Sequence, residues 1–250
     1  MSIINTFDNI SKEIIDPYQA IDKVDGFPKT LIAVFTQKFA DLLLNTVKAE
    51  QISEISGGRK IPIYKFNYGG KEIGFYHTLL GGSASGALLE EIIAKGGQKI
   101  LFFGSCGSLD KQITGGQLII PSEAYRDEGT SYHYLPASDY ISIQTADELA
   151  AVFDSLKLPY IKARTWTTDS FYRETQNNAE ARKKEGCVAV EMECASIMAV
   201  GQFRSVKTYQ FLYAADCLDE NIWDKRLLGN MPNNMRERIL KVALETAIRI

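Results

Sequence analysis

Ile100-Leu101-Phe102-Phe103-Gly104-Ser105-Cys106-Gly107 is an apolar run that ends on two glycines flanking a serine and a cysteine. Its first four residues have the length and bulk of a buried strand, and the tail reads as a glycine-rich turn at the strand's carboxyl end. Glycine lets the backbone approach a ligand closely, and clustered amides beside the Ser105 hydroxyl can hold an anion. A tight turn that merely needs positive φ would look the same. The pattern GxxxxGK[ST] is absent, so this is not a P-loop.

Strand and helix patterns alternate on either side of that stretch. Residues 31–35 read as a second buried strand, and 38–49 as a helix carrying Phe39, Leu42, Leu43 and Val47. Residues 61–66 and 72–79 read as two strands joined by Asn67-Tyr68-Gly69-Gly70. Gly81-Gly82-Ser83-Ala84-Ser85-Gly86 leads into a helix with Leu88, Leu89, Ile92 and Ile93 on one face, stopped at Gly96-Gly97. Strands are expected at 117–120, 160–166, 188–190 and 208–214, and helices at 146–156, 178–184, 194–203 and 235–250. The first 30 residues carry no clear pattern. Such alternation argues for a central sheet covered on both faces, with ligands bound beyond the carboxyl ends of the strands. No linker or composition shift divides residues 1–250, so one domain is expected.

Composition removes several function classes. With 45% apolar and 24% charged residues the chain reads as an ordinary soluble globular protein. Lys plus Arg is 28 and Asp plus Glu 31, a net charge of −3 that leaves no basic footprint for nucleic acid. No apolar run reaches the ~18 residues of a membrane span. Met1-Ser2-Ile3-Ile4-Asn5 lacks the start of a signal peptide. Cys106, Cys187, Cys194 and Cys217 form no CxxC pair, and with two histidines they argue against a zinc site. A reduced cytoplasm suits them.

Four further motifs follow strand ends. Glu191-Met192-Glu193 puts two carboxylates between an apolar run and a helix. A carboxylate can accept both hydroxyls of a vicinal diol, with Met192 against the apolar face of a sugar; acids in a first helical turn would serve the macrodipole instead. Asp216, ending the last strand, suits protonation of a leaving group, or N-capping. Arg126-Asp127-Glu128-Gly129-Thr130-Ser131-Tyr132-His133 is chemically dense for a connector, though a solvated charged loop has the same composition. Thr167-Thr168-Asp169-Ser170-Phe171-Tyr172 offers aromatics that can stack on a flat base, or pack in the core.

In this order the motifs resemble the nucleoside phosphorylase family that includes bacterial purine nucleoside phosphorylase, uridine phosphorylase and methylthioadenosine nucleosidase, over roughly residues 60–220. The resemblance implies a three-layer αβα domain with a twisted mixed central sheet, and a homo-oligomer, dimer or hexamer, whose sites borrow residues from a neighbour. It implies that Glu193, with Glu191 and Met192, binds the ribose and its 2′ and 3′ hydroxyls. Gly104 and Ser105 would bind phosphate, and Phe171, Cys106 and Gly107 would line the base site. Asp216 matches an aspartate that contacts N7 of a purine, whereas residues 126–133 look like a uridine phosphorylase segment.

The chain also departs from that pattern. Phe102 stands where family phosphorylases carry an arginine, and Thr36-Gln37-Lys38-Phe39 replaces a glycine–arginine pair. Lys38, Arg59 (from a neighbouring subunit in one arrangement) and Arg126 are the cations left to bind phosphate. Arg173-Glu174-Thr175-Gln176-Asn177 does not match the uracil-reading glutamine and arginine in register. The expectation is phosphorolysis of a purine-leaning nucleoside, with Asp216 and Glu193 catalytic, phosphate as co-substrate and no metal or organic cofactor. Uridine phosphorolysis, phosphate-independent hydrolysis and non-catalytic nucleoside binding are the alternatives.

Overall fold

Every apolar run read as a strand forms one, and the computed structural model, which describes residues 2–250 apart from 57 and 220–222, extends most of them. In chain order the elements are α1 (Pro17–Ala20), β1 (Thr30–Val34), α2 (Gln37–Thr46), β2 (Glu50–Ser56), β3 (Lys60–Tyr68), β4 (Lys71–His77) and α3 (Gly82–Lys95). They continue with β5 (Lys99–Ser108), β6 (Leu118–Asp127), α4 (Ser131–Tyr134), β7 (Tyr140–Ser142), α5 (Ala146–Ser155) and β8 (Tyr160–Thr168). After a 3-10 turn at Phe171–Arg173 come α6 (Gln176–Lys184), β9 (Cys187–Glu191), α7 (Cys194–Phe203), β10 (Lys207–Cys217) and α8 (Asn233–Ala247).

The ten strands make one mixed sheet in the order β10-β6-β8-β9-β5-β1-β4-β3-β2, with β7 beside β6. Helices α1, α3, α4 and α7 pack together, while α2, α5 and α8 form a separate group, giving the layers that alternation implied. The main core includes Leu31, Ile32, Leu101, Phe103, Ile197 and Phe211, all within 1% of full burial. Local signals support the helices: the Thr36 hydroxyl accepts the Phe39 N–H at 3.4 Å, and Asp147 and Glu148 occupy the first turn of α5.

One feature of the topology was not expected. Strand β10 pairs with β5 as well as β6, so β5, β9, β8, β6 and β10 close into a ring. Strand β5 belongs to both parts of the sheet. Its residues 99–103 pair with β1, while Gly107 and Ser108 pair with Val190 and Ala189 of β9. Between these, residues 104–106 have a ladder partner on the β10 side only. A gap therefore opens where β5 changes partner, the kind of crevice in which α/β sheets bind ligands.

This corrects the reading of residues 104–107 as a turn: they are the continuation of β5, without positive φ. Their glycines are required by close approach instead. A Cβ on Gly104 would meet the Phe35 ring at 3.0 Å, and one on Gly107 would collide with Leu218 and touch Val190 at 3.0 Å.

Candidate active site

The chemistry-bearing residues lie in one stripe across the ring. Asp216 is in register with Gly107, Gly107 with Val190, and Glu191, next along β9, with Thr167 of β8. A bulge between Ala214 and Asp216 resets the register just before the aspartate, a common way of re-aiming a side chain at a site. Cys106 lies between the acids. Burial pushes its thiol well up, and the charges of Glu191 and Asp216 add to the shift.

The two carboxylates of Glu191-Met192-Glu193 do different work. Glu191 Oε1 accepts the Thr167 hydroxyl at 2.6 Å, and Oε2 accepts the N–H groups of Glu193 at 2.8 Å and Cys194 at 2.7 Å. It thus caps the first turn of α7, where an anion also meets the positive end of the helix dipole. Its oxygens are already taken by these protein donors, and through the Glu193 N–H it fixes the backbone of that residue.

Glu193, 6% exposed, accepts the Gly81 N–H on Oε1 at 2.7 Å and only a long 3.3 Å contact from Met192 N–H on Oε2. Oε2 retains acceptor capacity for hydroxyl donors. Burial, followed by the Glu191 charge, holds the Glu193 carboxyl above the usual range. Met192 beside it is only partly buried, as a residue packing against a ligand would be.

Asp216 is 9% exposed, and its Oδ2 accepts the indole N–H of Trp223 at 2.7 Å. Burial raises its pKa, while that hydrogen bond and the Arg226 charge oppose the rise. The sequence reading missed Trp223, whose indole is half exposed on the loop after β10; an isolated tryptophan in a polar loop was the available signal. Arg226 itself turns away, its guanidinium bonding Asp224 at 3.1 Å and the carbonyls of Ile113 and Lys111.

Phe171 is 45% exposed, with the Tyr172 ring tilted against it at 4.0 Å between centroids, which removes the core-packing alternative. Glu174 ends the same turn, its N–H donating to the Phe171 carbonyl at 3.3 Å.

The expected phosphate ligands are not brought together in the chain. Ser105 is exposed at the gap, with its side chain against the Tyr213 hydroxyl. Successive amides of a strand point to opposite edges, so only alternate amides face the gap and no converging cluster forms. Phe35 lies over Gly104, and its ring is 6.1 Å from that of Phe102.

Arg126 is 4% exposed. Its Nε donates to Ser131 Oγ at 2.7 Å, and its terminal nitrogens donate to the carbonyls of Pro136 and Leu135 and to Ser138 Oγ. With Tyr132 4.0 Å beneath it, Arg126 shapes the 126–138 segment, and Glu128 ties that segment to α7 through Ser196 at 2.5 Å. This dense stretch is thus part strand, part short helix and largely structural. Lys38 is exposed on α2, and Arg59 lines a cleft with Gln37, Lys60, Tyr64 and His77. No group of three or more His, Cys, Asp or Glu able to hold a metal occurs among the described residues.

The sequence profile of the phosphorylase superfamily matches residues 29–247. A purine nucleoside phosphorylase of Plasmodium vivax is 31% identical over 179 residues, covering 68% of this chain and 71% of that protein. One from Plasmodium falciparum is 27% identical over 252 residues, covering 96% of this chain and 94% of that protein. The crystal structure of purine nucleoside phosphorylase from Toxoplasma gondii in complex with immucillin-H superposes with a TM-score of 0.76 at 18% identity, covering 95% and 97% of the two chains. AMP nucleosidase from Bacteroides thetaiotaomicron superposes at 0.70 with 16% identity, covering 90% and 89%. At those identities the two structures speak for the fold.

Proposed function

The chain belongs to the phosphorylase superfamily, and on that premise we propose that it is an enzyme cleaving the N-glycosidic bond of a purine ribonucleoside. The observation that carries this reading is the stripe of acids at the gap: Asp216 lies on one side of Gly107 and, on the other, Glu191 follows Val190 and holds the backbone N–H of Glu193. As the bond from C1′ to the base breaks, the ribosyl group becomes oxocarbenium-like and the bonding pair leaves with the base. Glu193 accepts the 2′ and 3′ hydroxyls, Met192 lies on the sugar, and Phe171 covers the base. Asp216 faces the purine's N7 edge and supports its protonation; uracil, which builds charge at O2, would want donors there instead. The chain's own residues supply this chemistry without a cofactor.

Two acceptors for the ribosyl group compete. Inorganic phosphate is supported by the relatives named as phosphorylases. Water is favoured by one specific observation: Phe35 and Phe102 flank Gly104, and the Arg126 donors are engaged within its own segment. Assembly as a dimer or hexamer in a reduced cytoplasm is part of the proposal. Ile10, Ile14, Ile15 and Leu80 are at least 64% exposed, apolar surface that suits a subunit contact.

Incubation with inosine, adenosine and uridine, with and without phosphate, tests the reading through base release. Release from the purine nucleosides ahead of uridine is expected, and its phosphate dependence separates phosphorolysis from hydrolysis. A chain that binds but cleaves none of the three would overturn it.

A further inference from the structure

Trp223 spends its polar atom on Asp216. The indole N–H donates to Asp216 Oδ2 at 2.7 Å, although half of the side chain is exposed to water. The loop that carries it is pinned on both legs. Cys217 and Asp224 exchange backbone hydrogen bonds at 2.9 and 3.1 Å, and the Leu218 N–H reaches the Ser108 carbonyl at 2.8 Å. The N–H groups of Leu227 and Leu228 converge on the Ala215 carbonyl at 2.8 and 3.1 Å. Arg226 adds bonds to Asp224 and to the Ile113 and Lys111 carbonyls. The indole is a fixed donor.

An indole N–H only donates, so Oδ2 is committed as an acceptor and Oδ1 is the atom left for a ligand. Oδ1 lies over Gly107, the strand partner of Asp216: a Cβ at that glycine would stand 3.5 Å from it. With no side chain there, a flat ring can come within hydrogen-bond reach of Oδ1. Burial lifts the pKa of Asp216, but the indole donor, the aspartate's own N–H and the Arg226 charge all favour the carboxylate, with the Asp224 charge opposing them. The Cys106 thiol, to which the Asp216 charge extends, stays protonated. At neutral pH Oδ1 is an acceptor.

We propose that the Trp223–Asp216 pair selects 6-aminopurine nucleosides: Asp216 Oδ1 accepts a hydrogen from the 6-amino group, and Trp223 is the positioning residue that fixes which oxygen does so. The inference rests on the glycosidic reading above and names the substrate class within it. The N7 edge of a purine presents N7 as an acceptor beside either a 6-amino donor or a 6-oxo acceptor. Against a carboxylate oxygen the amino group makes a charge-assisted hydrogen bond, whereas the 6-oxo group brings two acceptors face to face. Asp216 is 9% exposed, so little water is at hand to fill the place of a missing donor. A site built around such a hydrogen bond rejects the analogue that lacks it, because its own buried group is left unpaired.

Base release from adenosine and inosine measures the choice directly. Wild type should favour adenosine by roughly 10²-fold or more in kcat/KM. Trp223→Phe should pull that ratio towards parity, and Asp216→Asn, whose amide offers O6 a donor, should lower it as well. A merely structural role for Trp223 would slow both substrates equally and leave the ratio alone. Calorimetry gives a readout that needs no turnover. Wild type should bind 7-deazaadenosine at least about tenfold more tightly than 7-deazainosine, and Trp223→Phe should bind the two alike. Inosine cleaved as fast as adenosine, or an unchanged ratio in Trp223→Phe, overturns the proposal while the glycosidic reading stands. If the wild type cleaves neither nucleoside, that reading fails, and the two deaza compounds still decide whether the amino group is recognised.

Discussion

Replacing Glu193 by glutamine changes one oxygen for an NH₂ at the point where the site is meant to receive two hydroxyl donors. The Gly81 N–H, 2.7 Å from Oε1, can keep its acceptor, so the entry to α3 should survive. Oε2, which has only the 3.3 Å contact from Met192 N–H, becomes a donor facing donors. Charge-assisted hydrogen bonds contribute about 1.5–3 kcal/mol each. Losing two of them removes about 3–6 kcal/mol of transition-state stabilisation, or roughly 10²–10⁴-fold in kcat/KM. The assay is base release from a ribonucleoside and from its 2′,3′-dideoxy counterpart. Wild type should discriminate between them by the same order, and the variant should lose most of that discrimination. Removing a buried acid that sits beside Glu191 should leave the melting temperature unchanged or higher. A variant that folds normally and keeps kcat/KM within about threefold of wild type would refute the reasoning, because no diol could then be bonded to this carboxylate.

Other outcomes follow from the same contacts. Glu191→Ala strands the N–H groups of Glu193 and Cys194 inside the protein at about 1–3 kcal/mol each, so thermal denaturation should show a drop of several degrees together with lost activity. Trp223→Phe removes the donor to Asp216 and should raise that aspartate's pKa, moving the pH dependence of purine turnover while stability barely changes. Crystals soaked in phosphate should show no anion bonded to Arg126, and Phe35→Gly should improve any phosphate-dependent activity; ordered phosphate on Arg126 would contradict the geometry. Glu193 is held above its unfolded pKa by burial and by Glu191, so folding favours its protonated form. That contribution is complete below the ordinary glutamate range and is lost as pH climbs through it towards the raised value. Ligand-free protein should therefore melt lower as pH rises from roughly 5 to 8, and Glu193→Gln should flatten the slope.

Much of the site was legible because its acids sit at strand ends that apolar runs announce. The Glu191-Met192-Glu193 stretch follows a short β-branched run, and Asp216 ends a long apolar one. What stayed hidden depends on partners distant in the chain. Residues 104–107 look like a turn because glycine is rare within strands, yet the reason for them is Phe35, Val190 and Leu218 pressing from other elements. Strand β2 was not seen, since Glu50, Gln51, Ser53, Glu54 and Ser56 give it no apolar run. Arg126 read as a free cation because its carbonyl partners, Leu135 and Pro136, leave no mark in composition.

Closing β10 onto β5 also settles how the sheet meets its surroundings. An open sheet has two rims of unpaired peptide groups, each a template for another chain. Here one side of the sheet has rolled up, and among the described residues the rims left are β2, at the open end of the pairing path, and the three-residue β7, which branches off β6. Both carry protection. Strand β7 is too short to recruit a stranger, while β2 has charged Glu50 and Glu54, a bulge between Gln51 and Ser53, and Lys60 bonded across to Glu54 at 2.6 Å. Copies of this chain should accordingly meet through side chains, such as the exposed isoleucines of the amino-terminal segment, and not by extending one another's sheets.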